Sequence, residues 1–216
     1  MEARCGAVTG YAFDLAYATP PEWARAAAAD PLGLLSDHAH CELQAAVACK
    51  ALIARYPDRS ALVDLAAAVV SEEMEHFRQV LALLRELGGE LRDGGPNPYV
   101  DGLRRAAGKS KQYALLDRLL FAALIERRSC ERFELLAETD AEPRLVELYA
   151  RLAPEEIEHQ RLFLDAARHE AAADGLPEGA VDERLAHLVE LEGALVPRLD
   201  FGPRMHSGPP AGVPAG

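Results

Sequence analysis

The sequence has few of the residues that build β-sheets or membrane spans. Only 6% of its 216 residues are aromatic, and runs of β-branched residues are scarce, whereas Ala and Leu dominate. This composition favours an all-α protein. Charged residues interrupt every apolar stretch well before the roughly 18 residues that a membrane-spanning helix requires. We therefore expect no transmembrane segment and no contact with a membrane.

Cysteine is also rare. The 4 cysteines form no Cys-x-x-Cys pair and no spacing typical of a disulfide framework. Free thiols in a reducing cytosol are the simplest interpretation. The N-terminal residues lack the basic and apolar pattern of a signal peptide, so we expect a cytoplasmic protein.

Basic residues are outnumbered by acidic ones. The chain has 23 Lys and Arg against 35 Asp and Glu, which gives a formal net charge of −12. This balance argues against a protein that coats nucleic acid in general, because few cations remain for phosphates. It still allows a local basic face.

Half of the residues are apolar, and their helical spacing predicts four long helices, at about residues 34–56, 60–87, 112–138 and 141–173. Shorter helices are expected near residues 22–30, 101–107 and 181–196. The first two long helices are joined tightly, as are the last two, while residues 89–112 form a long crossover. Two helical hairpins joined in this way form the ferritin-like four-helix bundle. We predict one such domain over residues 1–196 and a Pro/Gly-rich, disordered tail over residues 197–216.

One short phrase occurs twice in the predicted bundle. The sequence SEEMEH at Ser71–His76 returns as PEEIEH at Pro154–His159. Each copy contains a Glu-x-x-His, and a lone Glu in an apolar helical stretch precedes each copy. The two lone glutamates are 84 positions apart and the two histidines are 83 apart, as expected of two equivalent hairpins. The resulting candidate set is Glu42, Glu73, His76, Glu126, Glu156 and His159.

Each of these six side chains lies in the apolar stripe of its helix. A carboxylate there is costly unless it is paired or bound to metal, and four carboxylates balance two divalent cations. Two single-Glu helices and two Glu-x-x-His helices supply the ligands of a carboxylate-bridged two-metal site. Oxygen-rich ligation with two imidazoles favours iron or manganese over zinc. Iron would give access to O₂ as co-substrate, with electrons from an external reductase or ferredoxin-type donor.

Several neighbouring side chains leave alternatives open. Glu72 is one helical turn from His76 and is the fallback ligand, while Glu131 competes with Glu126 but breaks the register between the halves. His38 and His40 are expected to be hydrogen-bonded rather than to bind metal. The outer glutamates are expected to be solvent-exposed or to support the ligands: Glu72, Glu75, Glu155 and Glu158.

Two segments carry a resemblance to a known family. DHAHCE at residues 37–42, followed by RYP at residues 55–57, resembles the first metal helix of the tRNA 2-methylthio-N6-isopentenyladenosine hydroxylases, the MiaE family. IERRSCERF at residues 125–133 resembles the third metal helix. With the two Glu-x-x-His helices, the resemblance spans about residues 30–170. It implies a ferritin-like di-iron monooxygenase that hydroxylates the isopentenyl group of this nucleoside in tRNA, with the six residues above catalytic through the metal centre.

The resemblance makes tRNA the expected partner. A local basic region in the crossover supplies candidate phosphate contacts at Arg104, Arg105, Lys109 and Lys111, although an ordinary solvated loop would have the same composition. Two other functions remain open: a di-iron hydroxylase of a small or lipid-like molecule, and a ferritin-like protein that handles iron or peroxide. The sequence leaves the choice between monomer and dimer open.

Overall fold

The structure, a computed structural model, describes residues 11–108 and 113–213. These residues form helices and connecting loops without strands, which confirms the predicted all-α class. The elements are α1 (Pro21–Ala28), α2 (Pro31–Arg55), α3 (Ser60–Glu86), α4 (Pro98–Ala107), α5 (Ala114–Ala137), α6 (Pro143–Ala173), α7 (Ala180–Leu195) and a 3-10 turn (Val196–Arg198).

Four long helices build the bundle. α2 packs along α3, and α5 packs along α6. The connections within the two pairs are short, so each pair is an antiparallel hairpin. The long crossover between α3 and α5 contains α4, which packs on α7. This is the predicted order of two hairpins and a crossover.

Local chemistry explains where the helices begin and end. α2 begins at Pro31, earlier than predicted, because the Asp30 side chain caps it by accepting a hydrogen bond of 2.9 Å from the Gly33 N–H. Pro31 at the first helical position needs no such partner. α3 ends beside Gly88, whose φ of 83° is the left-handed conformation typical of a helix C-terminus.

Two apolar clusters lie at different levels along the axis of the bundle. The first includes Leu34 of α2 and Phe133 of α5, and the second includes Leu52 of α2 and Leu119 of α5. The stretch between them on each long helix carries the predicted metal ligands. The polar centre is therefore enclosed by apolar layers above and below.

The C-terminal segment corrects one prediction. The sequence predicts disorder from residue 197, but Met205, His206 and Ser207 are buried. The Met205 N–H donates to Asp37 of α2 at 2.7 Å, and Arg132 of α5 donates to the carbonyl oxygens of Met205 and Ser207. We call residues 201–208 the C-terminal strap, because they tie α2 to α5.

The last residue of the strap, Gly208, packs tightly against the backbone of Leu199. A Cβ added at Gly208 would lie 1.8 Å from the carbonyl oxygen of Leu199, so only glycine fits this approach. Within the described part of the chain, no helix is both long and apolar enough to cross a bilayer.

Candidate metal centre

The structure brings the six predicted side chains together inside the bundle, and all six are buried. Ligand atoms of Glu73, His76, Glu156 and His159 lie within 4.8 Å of one another. Glu42 approaches this group from α2, with its Oε2 3.8 Å from His76 Nδ1. Glu126 is buried on α5, close enough to the centre that the Glu156 carboxylate adds to the rise that burial causes in its pKa.

The two histidines present the same ring atom to the centre. His76 Nδ1 lies 3.2 Å from Glu156 Oε1 and 3.9 Å from Glu73 Oε2. His159 Nδ1 lies 3.1 Å from Glu73 Oε1 and 3.2 Å from Glu156 Oε2. Glu73 and Glu156 therefore lie between the two rings, where each could help to hold a cation bound by either histidine.

Several polar atoms here are unsatisfied. Neither Glu73 oxygen forms a hydrogen bond within the described residues, and neither does His76 Nδ1. Burying such atoms beside charged groups but without hydrogen bonds costs free energy, and a bound cation would remove that cost. Four carboxylates and two imidazoles match the charge and ligand preference of two iron or manganese ions. The residues present therefore fit a two-metal group.

The shifted pKa values of the residues in the centre also indicate a cation site. Burial raises the pKa of Glu73 and of Glu126 well above its usual range, and the neighbouring Glu156 carboxylate adds to the effect. Burial opposes charging of His76, but its contacts with Glu156 and Glu42 raise its pKa to about 11. Contacts with Glu156 and Glu73 likewise raise the pKa of His159 against the effect of burial. Without metal, the centre holds protons that cations would displace.

Two of the outer glutamates support the ligands. The second ring nitrogen of each histidine reaches the opposite hairpin: His76 Nε2 lies 2.7 Å from Glu155 Oε2, and His159 Nε2 lies 2.8 Å from Glu72 Oε2. These contacts fix the rings with Nδ1 toward the centre. Glu72 is thus placed on the outer side of His159, away from the position of a fallback ligand.

The remaining alternatives are resolved by position. Glu75 and Glu158 pair with arginines at the surface. Glu131 lies outside the centre, where it pairs with Arg128 and accepts hydrogen bonds from Thr19. His40 Nε2 lies 2.7 Å from the Arg92 carbonyl oxygen, the hydrogen-bonded role expected for it.

The strap adds residues that sequence reasoning missed. His206 lies between α2 and α5, with its Nε2 3.3 Å from Ser129 Oγ and its Nδ1 3.8 Å from Cys41 Sγ. Its ring stacks on Tyr99 at 4.7 Å. Two neighbouring clefts of about 140 and 170 Å³ border this segment, and Asp37, Asn97 and Arg204 line both. A histidine in a Pro/Gly-rich tail offered no periodic signal by which to find it.

The candidate RNA contacts are only partly described. Arg104 and Arg105 are exposed in the last turn of α4, and neither forms an ion pair with any described residue. Lys109 and Lys111 lie outside the described residues. The region is therefore available for a phosphate on the side of α4.

The sequence of this chain is similar to those of proteins named as tRNA hydroxylases. A family model described as tRNA-(MS[2]IO[6]A)-hydroxylase (MiaE) matches residues 10–207. A Pseudomonas putida protein named tRNA 2-(methylsulfanyl)-N(6)-isopentenyladenosine(37) hydroxylase is 36% identical over 202 residues, which cover 91% of this chain and 93% of that protein. A Salmonella typhimurium protein of the same name is 31% identical over 150 residues, which cover 69% of this chain and 53% of that protein.

A solved structure shares the fold. It is described as Protein 43 with aldehyde deformylating oxygenase activity from Synechococcus, and it superposes with a TM-score of 0.82 at 36% identity. The match covers 90% of this chain and 96% of the other. This likeness confirms the ferritin-like bundle. From the family match over residues 10–207 and the identity with the Pseudomonas putida protein, it follows that this chain belongs to the MiaE family of tRNA hydroxylases.

Proposed function

We propose that this protein is an O₂-dependent di-iron monooxygenase that hydroxylates the isopentenyl group of 2-methylthio-N6-isopentenyladenosine in tRNA. The observation that carries the proposal is the buried centre of four glutamates and two histidines in a chain of this family. The relatives from Pseudomonas putida and Salmonella typhimurium bear the name of this activity. We assign this substrate to the present chain on the basis of those names.

In this proposal the two iron ions are held by Glu42, Glu73, His76, Glu126, Glu156 and His159. When bound, they supply the reductive activation of O₂ that protein side chains alone lack. The hydroxylation places one oxygen atom of O₂ in the substrate and reduces the other to water, so electrons must come from a reductase or ferredoxin-type partner.

The chain's own residues prepare the centre in two ways. Glu72 and Glu155 hold the imidazole rings so that Nδ1 of each points inward. The apolar clusters on both sides exclude water, which strengthens the attraction between the carboxylates and cations. Both effects act before substrate arrives and reduce rearrangement during the reaction.

We further propose that Arg104 and Arg105, with Lys109 and Lys111, contact tRNA phosphates. The exposed guanidinium groups of Arg104 and Arg105 support this assignment, because neither is occupied by a described carboxylate. Changing both arginines to Glu should weaken tRNA binding and reduce the slope of log affinity against log salt by about 1 for each lost contact. Arg161→Glu with Arg168→Glu, an exposed pair on α6, is the control. If both double variants bind tRNA with equal affinity, the crossover is not part of the docking surface.

One observation favours a second candidate. The Synechococcus protein with aldehyde deformylating oxygenase activity is as similar in sequence as the Pseudomonas putida relative, at 36% identity. A small aldehyde or lipid-like substrate is therefore the alternative to tRNA. Both candidates use the same centre and differ only in what reaches it.

The decisive experiment offers both substrates to one preparation. Iron-reconstituted protein, a reducing system and O₂ are incubated with tRNA that carries the unhydroxylated nucleoside, or with a long-chain aldehyde. We expect hydroxylated nucleoside in digested tRNA and no loss of aldehyde. Glu73→Ala should form no product, whereas Glu158→Ala, which changes a surface residue, should retain activity. Unmodified tRNA in the presence of bound iron would reject the tRNA proposal.

A further inference from the structure

His38 lies beside the candidate centre without an assigned role. It sits one helical turn before Glu42 on α2, and it is 0% exposed. Its Nε2 is in direct contact with Oε1 of Glu42. The other oxygen of the same carboxylate, Oε2, faces His76 Nδ1 at 3.8 Å. His38 therefore meets the same glutamate that approaches the centre from α2.

The ring of His38 has no hydrogen-bond partner among the described residues. Neither Nδ1 nor Nε2 forms a hydrogen bond with a described residue, although Nε2 lies against Oε1 of Glu42. The neighbouring carboxylate of Asp37 is directed to the Met205 N–H instead. A buried imidazole without partners is costly. An imidazole nitrogen and a carboxylate oxygen that converge in this way without a hydrogen bond are arranged like two ligands of one cation.

Aromatic packing fixes the orientation of this ring. The His38 ring centroid lies 4.9 Å from that of Phe133 and 5.4 Å from that of Tyr149, on which it stacks at an interplanar angle of 25°. Tyr149 is itself fully buried. Nε2 is thus held toward Glu42 by the packing, independently of any bond to Glu42.

The two halves of the bundle differ at this position. The offset of 84 residues that relates Glu42 to Glu126 relates His38 to Ala122. α5 therefore offers no imidazole at the equivalent place. Any role of His38 toward a cation belongs to one metal position only.

We propose that His38 is a seventh ligand of the metal centre, and that its Nε2 binds the ion held by Glu42. The ion beside α2 then has two imidazoles, from His38 and His76, and the ion beside α5 has one, from His159. The two positions are chemically inequivalent, and the ion beside α2 binds more tightly. The inference rests on the proposed function only in requiring that the centre binds two ions, and it does not depend on tRNA.

The test counts imidazoles in the loaded protein. Metal-free full-length protein is titrated anaerobically with Co²⁺, and the bound imidazoles are counted by X-ray absorption and by pulsed magnetic resonance after ¹⁵N-histidine labelling. We expect three imidazoles for two ions. His38→Ala should leave two imidazoles and weaken one of the two binding steps at least about tenfold. His40→Ala, on the same helix but bonded to the Arg92 carbonyl, should change neither value.

Each outcome decides a different claim. Two imidazoles for two ions in the unaltered protein would overturn the role of His38 and leave the di-iron proposal standing. Failure of the unaltered protein to bind two ions would reject the di-iron proposal itself. A lower melting temperature for His38→Ala with an unchanged imidazole count would show that the ring only packs. The count in the unaltered protein decides the question even where the variant does not fold.

Discussion

At the scale of single residues, Glu72 and Glu155 show how a centre is oriented from outside its ligands. Each is about half exposed, yet each holds the outer nitrogen of a buried histidine on the opposite hairpin. The two contacts are reciprocal: Glu155 of α6 holds His76 of α3, and Glu72 of α3 holds His159 of α6. They tie the hairpins together at the level of the metal centre.

Removing one of these contacts should loosen the metal without unfolding the protein. We expect Glu155→Ala to weaken binding of iron or Co²⁺ by about 10- to 100-fold, because His76 loses the group that orients its ring. Stability of the metal-free protein should change little, since the Glu155 side chain is 49% exposed. Metal titration and urea unfolding measure the two effects. Equal metal affinities for Glu155→Ala and the surface variant Glu158→Ala would contradict this role.

The histidines also predict how the stability of the metal-free protein depends on pH. The pKa of His76 is raised to about 11 and that of His159 is raised as well, so both rings keep a proton in the folded state that the unfolded chain releases near its ordinary pKa of 6.5. The stabilisation that these two histidines give to the folded state is therefore complete below about pH 6.5 and is lost as the pH rises. The raised pKa values of the buried acids Glu73 and Glu126 act with the same sign.

We expect the free energy of unfolding of the metal-free protein to fall between pH 6.5 and 9. The slope is about 1.4 kcal/mol per pH unit for each proton retained. Metal affinity should rise over the same range, because cations replace those protons. Urea titrations of chelator-treated protein at several pH values measure the slope. Stability that rises with pH would contradict the proton content described here.

How much of the centre is predictable depends on the range of each contact. The six central residues follow from helical periodicity and from the repeat, both of which are local patterns in the sequence. The contacts of Glu72 and Glu155 join side chains 87 and 79 positions apart. They depend on which way each histidine ring turns, and no spacing rule encodes that choice. The same holds for the unpartnered ring of His38.

At the scale of elements, α5 holds the segments around it by three buried arginines. Arg128 forms an ion pair with Glu192 of α7, and both side chains are fully buried. Arg127 donates to the carbonyl oxygen of Phe13 and stacks on Tyr11, while Arg132 holds the C-terminal strap. One helix thus organises the N-terminal residues, α7 and the strap.

Because of the buried ion pair between α5 and α7, we expect a large loss of stability when one partner is truncated. Arg128→Ala should destabilise the protein by about 3–5 kcal/mol, because Glu192 would remain buried without a counter-charge. The double variant Arg128→Met with Glu192→Leu should recover much of this loss, since it removes both charges. Urea unfolding of the single and double variants measures both values. A double variant that recovers none of the stability lost in Arg128→Ala would show that the loss comes from the other hydrogen bonds of Arg128, to Thr19 and Tyr17, and not from the unpaired charge of Glu192.

The elements themselves were largely predictable. Apolar periodicity locates all four bundle helices, because each must bury one stripe against its neighbours. Their ends differ from the predictions by a few residues, as where Asp30 and Pro31 start α2 early. The arginines of α5 are visible in IERRSCERF at residues 125–133, but their partners lie far away in the sequence, at Phe13, at Glu192 and in the strap.

At the scale of the whole molecule, the strap closes the side of the bundle between α2 and α5. Its apolar content is small, so composition predicts disorder. It is ordered because Asp37 and Arg132 bind its backbone, and these partners lie 168 and more than 70 positions away in the sequence. Composition alone cannot reveal contacts between residues so far apart in the sequence.

Removal of the strap should destabilise the fold and expose the centre. A chain ending at Asp200 leaves the buried guanidinium of Arg132 without its carbonyl partners and Trp23 without its hydrogen bond to Ser207. We expect a loss of about 3 kcal/mol or more, since hydrogen bonds to charged groups contribute about 1.5–3 kcal/mol each. Faster amide exchange in α2 and α5 should accompany it. A chain ending at Val213 is the control, and identical exchange in both shortened chains would show that the strap does not close the bundle.

The strap also determines when the face between α2 and α5 is covered during synthesis. Chains fold from the N-terminus as they leave the ribosome, so the two hairpins emerge and meet before residues 205–207 exist outside it. Until then Asp37 and Arg132 have no partners, and the face between α2 and α5 stays open to solvent and metal ions. Closure of that face therefore follows the meeting of the two hairpins, and a nascent chain stalled before the strap would present an accessible, unfinished centre.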